Sequence, residues 1–346
     1  MTTERLTVED FLQMAKQVPV VDVRTPAEFF QGHIPGATNL PLFTNDERAA
    51  VGTVYVQQGS LPAQLLGLGY VGPRLRDLGE KLLSVAGGTG SPLLIHCWRG
   101  GMRSSSVAWL AGTLGIQAFT LDRGYKSFRR WVIDSSWVRH DLQIVAGFTG
   151  SGKTEILKAL AALGESIIDI EALANHKGSA FGFLGEEQQP TQEHFENRVA
   201  LACASASSAR PIWVEDESRN TGRCFLATPF WQAKQAGTFH VVQVPLAERV
   251  RHLCNVYGQY SAADLLRCVN TIAKRLGGNR LTTVVDAIER GDLTDACKGI
   301  LAYYDRAYGR ALDDIPADRK VLHTFDSLDS SIIAQALTSH LTPRTY

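Results

Sequence analysis

Apolar and polar positions along the chain fall into two successive stretches of α/β grammar. Thr7 stands three residues before Asp10 and just ahead of Phe11, Leu12 and Met14, which predicts a capped helix start. The apolar run over 18–23, beside Gln17 and Asp22, predicts a buried strand, and Pro35-Gly36 predicts a turn after it. Leu93 to His96 predicts a strand running into Cys97 and a glycine-containing loop. A helix over 103–114, stopped by Gly115, and a strand over 117–121 complete that unit. From Arg123 to Trp131 the chain turns basic and aromatic, and we place a domain junction just beyond it, giving domains 1–137 and 138–346. The second stretch opens with a strand over 142–146, passes a glycine loop and continues as a helix over about 154–163. Strands are predicted over 166–170, 211–215 and 240–244, separated by helical stretches. The last third, with Leu301, Tyr303, Tyr304 and Tyr308, predicts mainly helix.

Composition fits this reading. A length of 346 residues exceeds what one hydrophobic core serves well, and 45% hydrophobic with 20% charged residues is ordinary for a globular chain. Basic and acidic residues number 35 each, so no global positive field attracts a polyanion, and nucleic-acid contact would rest on local patches. The acidic start argues against a secretory signal, and no apolar stretch is long enough to span a bilayer. Six cysteines lie scattered with no CxxC pair, which disfavours structural zinc and points to free thiols in a reducing cytoplasm.

Gly147-Phe148-Thr149-Gly150-Ser151-Gly152-Lys153-Thr154 matches GxxxxGK[ST] in full and lies between a predicted strand and helix. Its glycines let successive amides point inward, and the helix N-terminus adds partial positive charge. Lys153 would neutralise phosphate oxygens and Thr154 could hold Mg2+. A partner acid should end another strand, and either Glu215 or Asp216, in Ile212-Trp213-Val214-Glu215-Asp216-Glu217, fits that role. The motif specifies a phosphate or diphosphate group without specifying the molecule that carries it.

Cys97-Trp98-Arg99-Gly100-Gly101-Met102-Arg103-Ser104 places a cysteine at a strand end and an arginine at a helix start. Loop amides and the helix terminus would favour a thiolate at Cys97, and the Arg103 guanidinium can grip an oxyanion at two points. The loop is then a nucleophilic sulfur facing a tetrahedral anion, with Trp98, Arg99, Gly100, Gly101, Met102 and Ser104 as its cradle.

Asp22, Arg24, Glu28 and His33-Ile34-Pro35-Gly36-Ala37, followed by the cysteine loop, resemble a rhodanese domain over about residues 4 to 135. The loop from Cys97 to Arg103 is one residue longer than in many rhodaneses and in that respect is similar to the related dual-specificity phosphatases. A longer loop suits a bulkier anion. The cysteine and phosphate loops, the run Leu173 to Gly182, Glu217-Ser218-Arg219 and Arg275-Leu276-Gly277-Gly278 together resemble the tRNA 2-selenouridine synthase family, over nearly the whole chain.

That resemblance implies an α/β chain with a rhodanese-like domain followed by a P-loop NTPase-like parallel-sheet domain and a helical C-terminal part. It implies a transferase that geranylates the sulfur of wobble 2-thiouridine in tRNA, using geranyl diphosphate, and then replaces that sulfur with selenium from selenophosphate. On this reading the phosphate loop holds the diphosphate, the Cys97 loop holds selenophosphate, and no tightly bound cofactor is required. Phe181-Gly182-Phe183-Leu184-Gly185 could line a prenyl pocket or simply fill a core. Tyr125, Arg129, Arg130 and Trp131 could meet tRNA, the arginines on phosphates and the aromatics on a flipped base, or could belong to a solvated junction helix. Alternatives are a rhodanese-type tRNA sulfurtransferase, a CxxxxxR phosphatase fused to a nucleotide-binding domain, and a persulfide-sensing regulator of a nucleotide switch. Whether a nucleotide binds, which tRNAs are used and the oligomeric state stay open.

Overall fold

A computed structural model of the protein describes residues 4–139, 141–207 and 209–339. Contacts divide the chain into two units, residues 1–136 with 196–198, and residues 137–195 with 199–346.

The first unit is a five-stranded, all-parallel sheet. Its strands are β1 (Glu4–Leu6), β2 (Val20–Asp22), β3 (Thr38–Asn39), β4 (Pro92–His96) and β5 (Gln117–Leu121), in spatial order β1-β5-β4-β2-β3. Its helices are α1 (Val8–Met14), α2 (Pro26–Gln31), α3 (Asn45–Gln58), α4 (Ser60–Val71), α5 (Leu75–Ala86), α6 (Met102–Thr113) and α7 (Tyr125–Asp134). Thr7 caps α1 by accepting from Asp10 N, as its spacing predicts. Apolar residues on both faces of β2 and β4 let helices cover the sheet from two sides, and Val21, Val23, Leu93 and Ile95 lie fully buried among Leu82, Val107 and Ala111. The helices α3 to α5, in the stretch between the turn at Pro35-Gly36 and β4, are an addition to the sequence reading.

The second unit repeats the parallel plan. Strands β6 (Leu142–Gly147), β7 (Ser166–Ile168), β8 (Ile212–Glu215), β11 (Thr238–Gln243) and β12 (Lys320–Thr324) take the order β12-β11-β6-β8-β7, and a short antiparallel pair, β9 (Asn220–Thr221) with β10 (Cys224–Phe225), stands apart. Helices α8 (Lys153–Ala162), α9 (Ile170–Ala174), α10 (Gln192–Ser205) and α11 (Thr228–Ala236) connect them. The C-terminal part is helical through α12 (Leu246–Tyr257), α13 (Ala262–Thr271), α14 (Ala273–Leu276), α15 (Gly278–Glu289), α16 (Leu293–Asp313) and α17 (Ser330–Ser339), interrupted by β12. Ile156, Leu157 and Leu160 of α8 are fully buried against Val145, Trp213 and Val242, each contributing about 1.5–3 kcal/mol. A separate helical core holds Leu265, Val269, Val284 and Ile288. Among the described residues, no helix is long and apolar enough to cross a membrane.

In both sheets the central strands, β4 and β6, end where their neighbours also end, so the loops that follow them open at the carboxyl edge, the usual position of ligand sites in open α/β sheets.

Candidate active site

Two loops carry chemistry, one in each unit. Cys97 follows β4 directly and is 3% exposed, with Sγ 3.2 Å from Ser104 Oγ in the first turns of α6. The loop is held from behind by the turn after β5. Tyr125 N donates to Cys97 O at 2.8 Å and Lys126 N to Trp98 O at 3.0 Å. Gly124, at φ +60°, makes this approach feasible, because a Cβ there would stand 2.3 Å from Cys97 O.

Beneath the loop lies a buried ion pair. Asp22, ending β2, accepts from Arg24 Nε at 3.0 Å and Nη2 at 2.6 Å, and the guanidinium sits 3.7 Å over the Tyr125 ring. Burial pushes the Asp22 carboxyl up, but His96 and the Arg24 hydrogen bonds outweigh it and hold the group below its ordinary value. Arg103 is not a free clamp. Its Nη1 and Nη2 donate to the two oxygens of Glu28 at 2.7 and 3.2 Å, because a carboxylate fits the guanidinium fork. Burial opposes the charge of Glu28, and Arg103 overcomes it, so its pKa lies below normal. Glu28 also accepts from Thr25 N in the capping box of α2, so one carboxylate ties a helix start to the cysteine loop. Of the remaining cradle residues, Trp98 is half-buried, Ser104 is buried, and Arg99, Gly101 and Met102 are exposed. In front of Cys97 opens a cavity of about 960 Å3 lined by Phe43, Val51, Tyr55, Gly67 and Val71 as well as Arg103.

The second loop leaves β6 at Gly147. Gly150 and Gly152 take φ of +81° and +73°, and α8 starts at Lys153. Lys153 Nζ stands 3.7 Å from Glu217 Oε1, and Thr154 Oγ1 donates to Glu171 Oε2 at 2.9 Å. Glu171 N in turn donates to Glu215 Oε1 at 2.8 Å, whereas Glu215 Oε2 is buried with no partner. Glu171, Glu215 and Glu217 each offer a carboxylate oxygen within 4.8 Å of the others. Burial first, and then Glu217, pushes the Glu171 carboxyl up to about 8. Burial and Glu171 push Glu215 well above its ordinary value, and burial raises Glu217 despite the opposing charge of Lys153. Burial works against the charge of Lys153, yet Glu217, Tyr308, Glu171 and Glu215 keep its pKa above normal. Three crowded carboxylates with an orphaned buried oxygen, beside a threonine hydroxyl, are a donor set that suits a hard divalent cation.

Of the two candidate acids, Glu215 joins this cluster and Asp216 does not. Asp216 accepts from the buried Lys234 Nζ at 2.6 Å, where it neutralises a charge that would otherwise be unpaired. Glu171 and Glu217 are functional candidates that the motif reading did not select. Glu171 follows β7, the strand beside β8, so the convergence of strand ends was its available signal. Gly178 backs the cluster at φ +66°, and a Cβ there would fall 2.1 Å from Glu217 Oε2.

The model of the family described as "tRNA 2-selenouridine synthase AAA domain" matches residues 140–321, and that of the rhodanese-like domain matches residues 7–130. Relatives named tRNA 2-selenouridine synthase include one from Shewanella denitrificans, 33% identical over 84% of this chain and 84% of its own length. Another, from Pseudomonas putida, is 32% identical over 90% of this chain and 93% of its own. This chain belongs to the tRNA 2-selenouridine synthase family. A relative from Nitrosomonas eutropha is 38% identical over 71% of this chain, and the match spans 63% of that relative's length. The first unit is therefore the rhodanese-like domain of the family and the second its P-loop domain.

Within this family member the basic, aromatic stretch after β5 is mostly turned inward. Helix α7 buries Tyr125, Phe128 and Val132 on one face. Tyr125 is fully buried, carries Arg24 on its ring and accepts from Asn197 Nδ2 at 2.8 Å, so stacking on a flipped base is excluded for it in this arrangement. Arg129 donates to Asn197 Oδ1 at 2.6 Å and Glu196 Oε2 at 2.8 Å, within its own unit, and is committed there. Arg130 is exposed, and Trp131, like Arg129, is half-buried, so of the four candidates Arg130 is the one most open to solvent. Phe181 and Leu184 are buried in the helical core, whereas Phe183 is exposed.

Proposed function

We propose that the chain converts wobble 2-thiouridine in tRNA to 2-selenouridine in two steps, one at each loop. The observation that supports this reading is the pairing, in one member of this family, of a buried thiol at the start of one helix with a GxxxxGK[ST] loop at the start of another.

In the first step the thiouridine sulfur attacks C1 of geranyl diphosphate, the C1–O bond breaks, diphosphate leaves with the electron pair, and the N3 proton of the base passes to solvent. Loop amides from Gly147 to Thr154 and the Lys153 ammonium take up the charge that develops on the leaving group. Thr154, Glu171, Glu215 and Glu217 would hold Mg2+, which supplies further positive charge to the same phosphates.

In the second step selenium of selenophosphate attacks C2 of the base and the geranylated sulfur leaves as a thiolate that takes a proton. The Se–P bond breaks by attack at phosphorus, for which Cys97 Sγ is the nucleophile in the cradle. Water then releases phosphate and restores the thiol. Arg103 spends part of its fork on Glu28 and has further N–H donors for the anion's oxygens. Arg130 and Trp131 remain as contacts for the tRNA.

The test is sequential incubation with 2-thiouridine tRNA, geranyl diphosphate and then selenophosphate, reading nucleoside mass after each addition. The expected result is a gain of one geranyl group followed by its loss with replacement of sulfur by selenium. Absence of both changes would overturn the proposal.

A further inference from the structure

The second unit contains an apolar slot that begins at the P-loop. Thr149 forms one end, and the walls come from Phe181 and from helices α12, α13, α15 and α16, through Leu253, Leu265, Ile288, Leu293 and Ile300. The polar atoms along it are few and mostly engaged. Tyr304 Oη accepts from Ala180 N at 3.3 Å, and the Tyr257 hydroxyl is hydrogen-bonded to Ser179. A base or ribose would find few partners there, and burying its remaining polar groups unpaired would be costly.

Shape points the same way. The slot measures about 60 Å3. A water needs roughly 10–15 Å3 on that measure, so the slot has room for more than a single water and can admit a slender chain. Its wall is soft where the chain would extend, because Ala296 is small and the thiols of Cys254 and Cys297 are only partly buried.

Continuity with Thr149 fixes the polarity of the occupant. A diphosphate seated on the amides of Gly147 to Thr154 would have its ester substituent beside the Thr149 end of the slot, where hydrocarbon walls continue. We infer that this slot is the prenyl subsite, taking the hydrocarbon chain of a prenyl diphosphate whose head lies on the P-loop, with Phe181, Leu265, Ala296 and Ile300 setting chain length. The inference rests on the reading of the P-loop as a prenyl-diphosphate site and adds to it the residues that recognise the chain and the exclusion of nucleosides.

Titration calorimetry on the full chain tests it with geranyl diphosphate, farnesyl diphosphate and inorganic diphosphate. Ala296→Phe, which fills the slot, is expected to weaken geranyl diphosphate at least tenfold while leaving inorganic diphosphate unchanged, the latter serving as the check on folding. Ile300→Ala, which lengthens the slot, is expected to raise the affinity for farnesyl relative to geranyl diphosphate at least fivefold. Such a gain cannot come from damage. Lys153→Ala should weaken all three ligands. If Lys153→Ala does so while both slot variants bind geranyl and farnesyl diphosphate as the parent does, the subsite is wrong and the P-loop reading stands. If the parent binds geranyl diphosphate no better than inorganic diphosphate, the subsite is wrong; if Lys153→Ala weakens none of the three ligands, the P-loop reading fails and the subsite with it.

Discussion

Gly178 is the residue whose replacement should be felt most sharply at the carboxylate cluster. A Cβ at this position would lie 2.1 Å from Glu217 Oε2 and 3.1 Å from Glu171 Oε1, and its φ of +66° already disfavours any other residue. Gly178→Ala should therefore displace Glu217 from Lys153 and lower geranyl transfer at least tenfold, with selenium exchange on pre-geranylated tRNA unaffected, as read by nucleoside mass. Asp22 makes the corresponding case in the first unit. Asp22→Asn leaves Arg24 buried without its partner, which costs about 3–5 kcal/mol at neutral pH. The folded-state pKa of Asp22 is depressed, so its contribution is present above the unfolded value of about 3.9 and is lost as pH falls through the folded value. The stability gap between parent and Asp22→Asn should thus hold steady from pH 7 to about 4 and narrow only below about 3.9 in denaturant titrations. A constant gap would mean that the Asp22 charge is not what stabilises this site. Asp22, Arg24 and Glu28 were visible in the sequence as a family pattern, but their work was not, since only the fold reveals that Glu28 occupies Arg103.

At the scale of elements, the start of α2 couples helix capping to the cysteine loop. Thr25 and Glu28 form a reciprocal capping box, and the same Glu28 pairs with Arg103. Thr25→Ala should cost about 1 kcal/mol in thermal unfolding and should also loosen Glu28, which a rise in the reactivity of Cys97 to iodoacetamide would report. The strand, loop and helix around each motif were legible because glycine stops and apolar periodicity agree there. Helices α3 and α4 were not. No residue of α3 is fully buried, and α4 presents Leu61, Leu65 and Leu68 to solvent while burying Ala63 and Gly67, so neither has the single apolar stripe by which a helix is read. Strand β12 was hidden for a different reason, since its parallel pairing with β11 joins Phe239 to Lys320 across a long helical insertion. Tyr125 and Arg129 misled because composition marks a segment as basic and aromatic, while only the helix phase of α7 says which side chains turn inward.

For the molecule as a whole, the proposed function divides two chemistries between two units, each with its own parallel sheet and its own loop at the carboxyl edge of a central strand. Loss of one chemistry should leave the other intact. The direct measurement is nucleoside mass spectrometry of tRNA treated with Cys97→Ala and with Lys153→Ala, each supplied with geranyl diphosphate and selenophosphate, starting from 2-thiouridine tRNA and from tRNA already geranylated. Cys97→Ala should halt at the geranylated nucleoside from either start. Lys153→Ala should leave 2-thiouridine unchanged yet convert geranylated tRNA to 2-selenouridine. Full selenation by Cys97→Ala, or failure of Lys153→Ala on geranylated tRNA, would contradict this division of chemistry between the two loops.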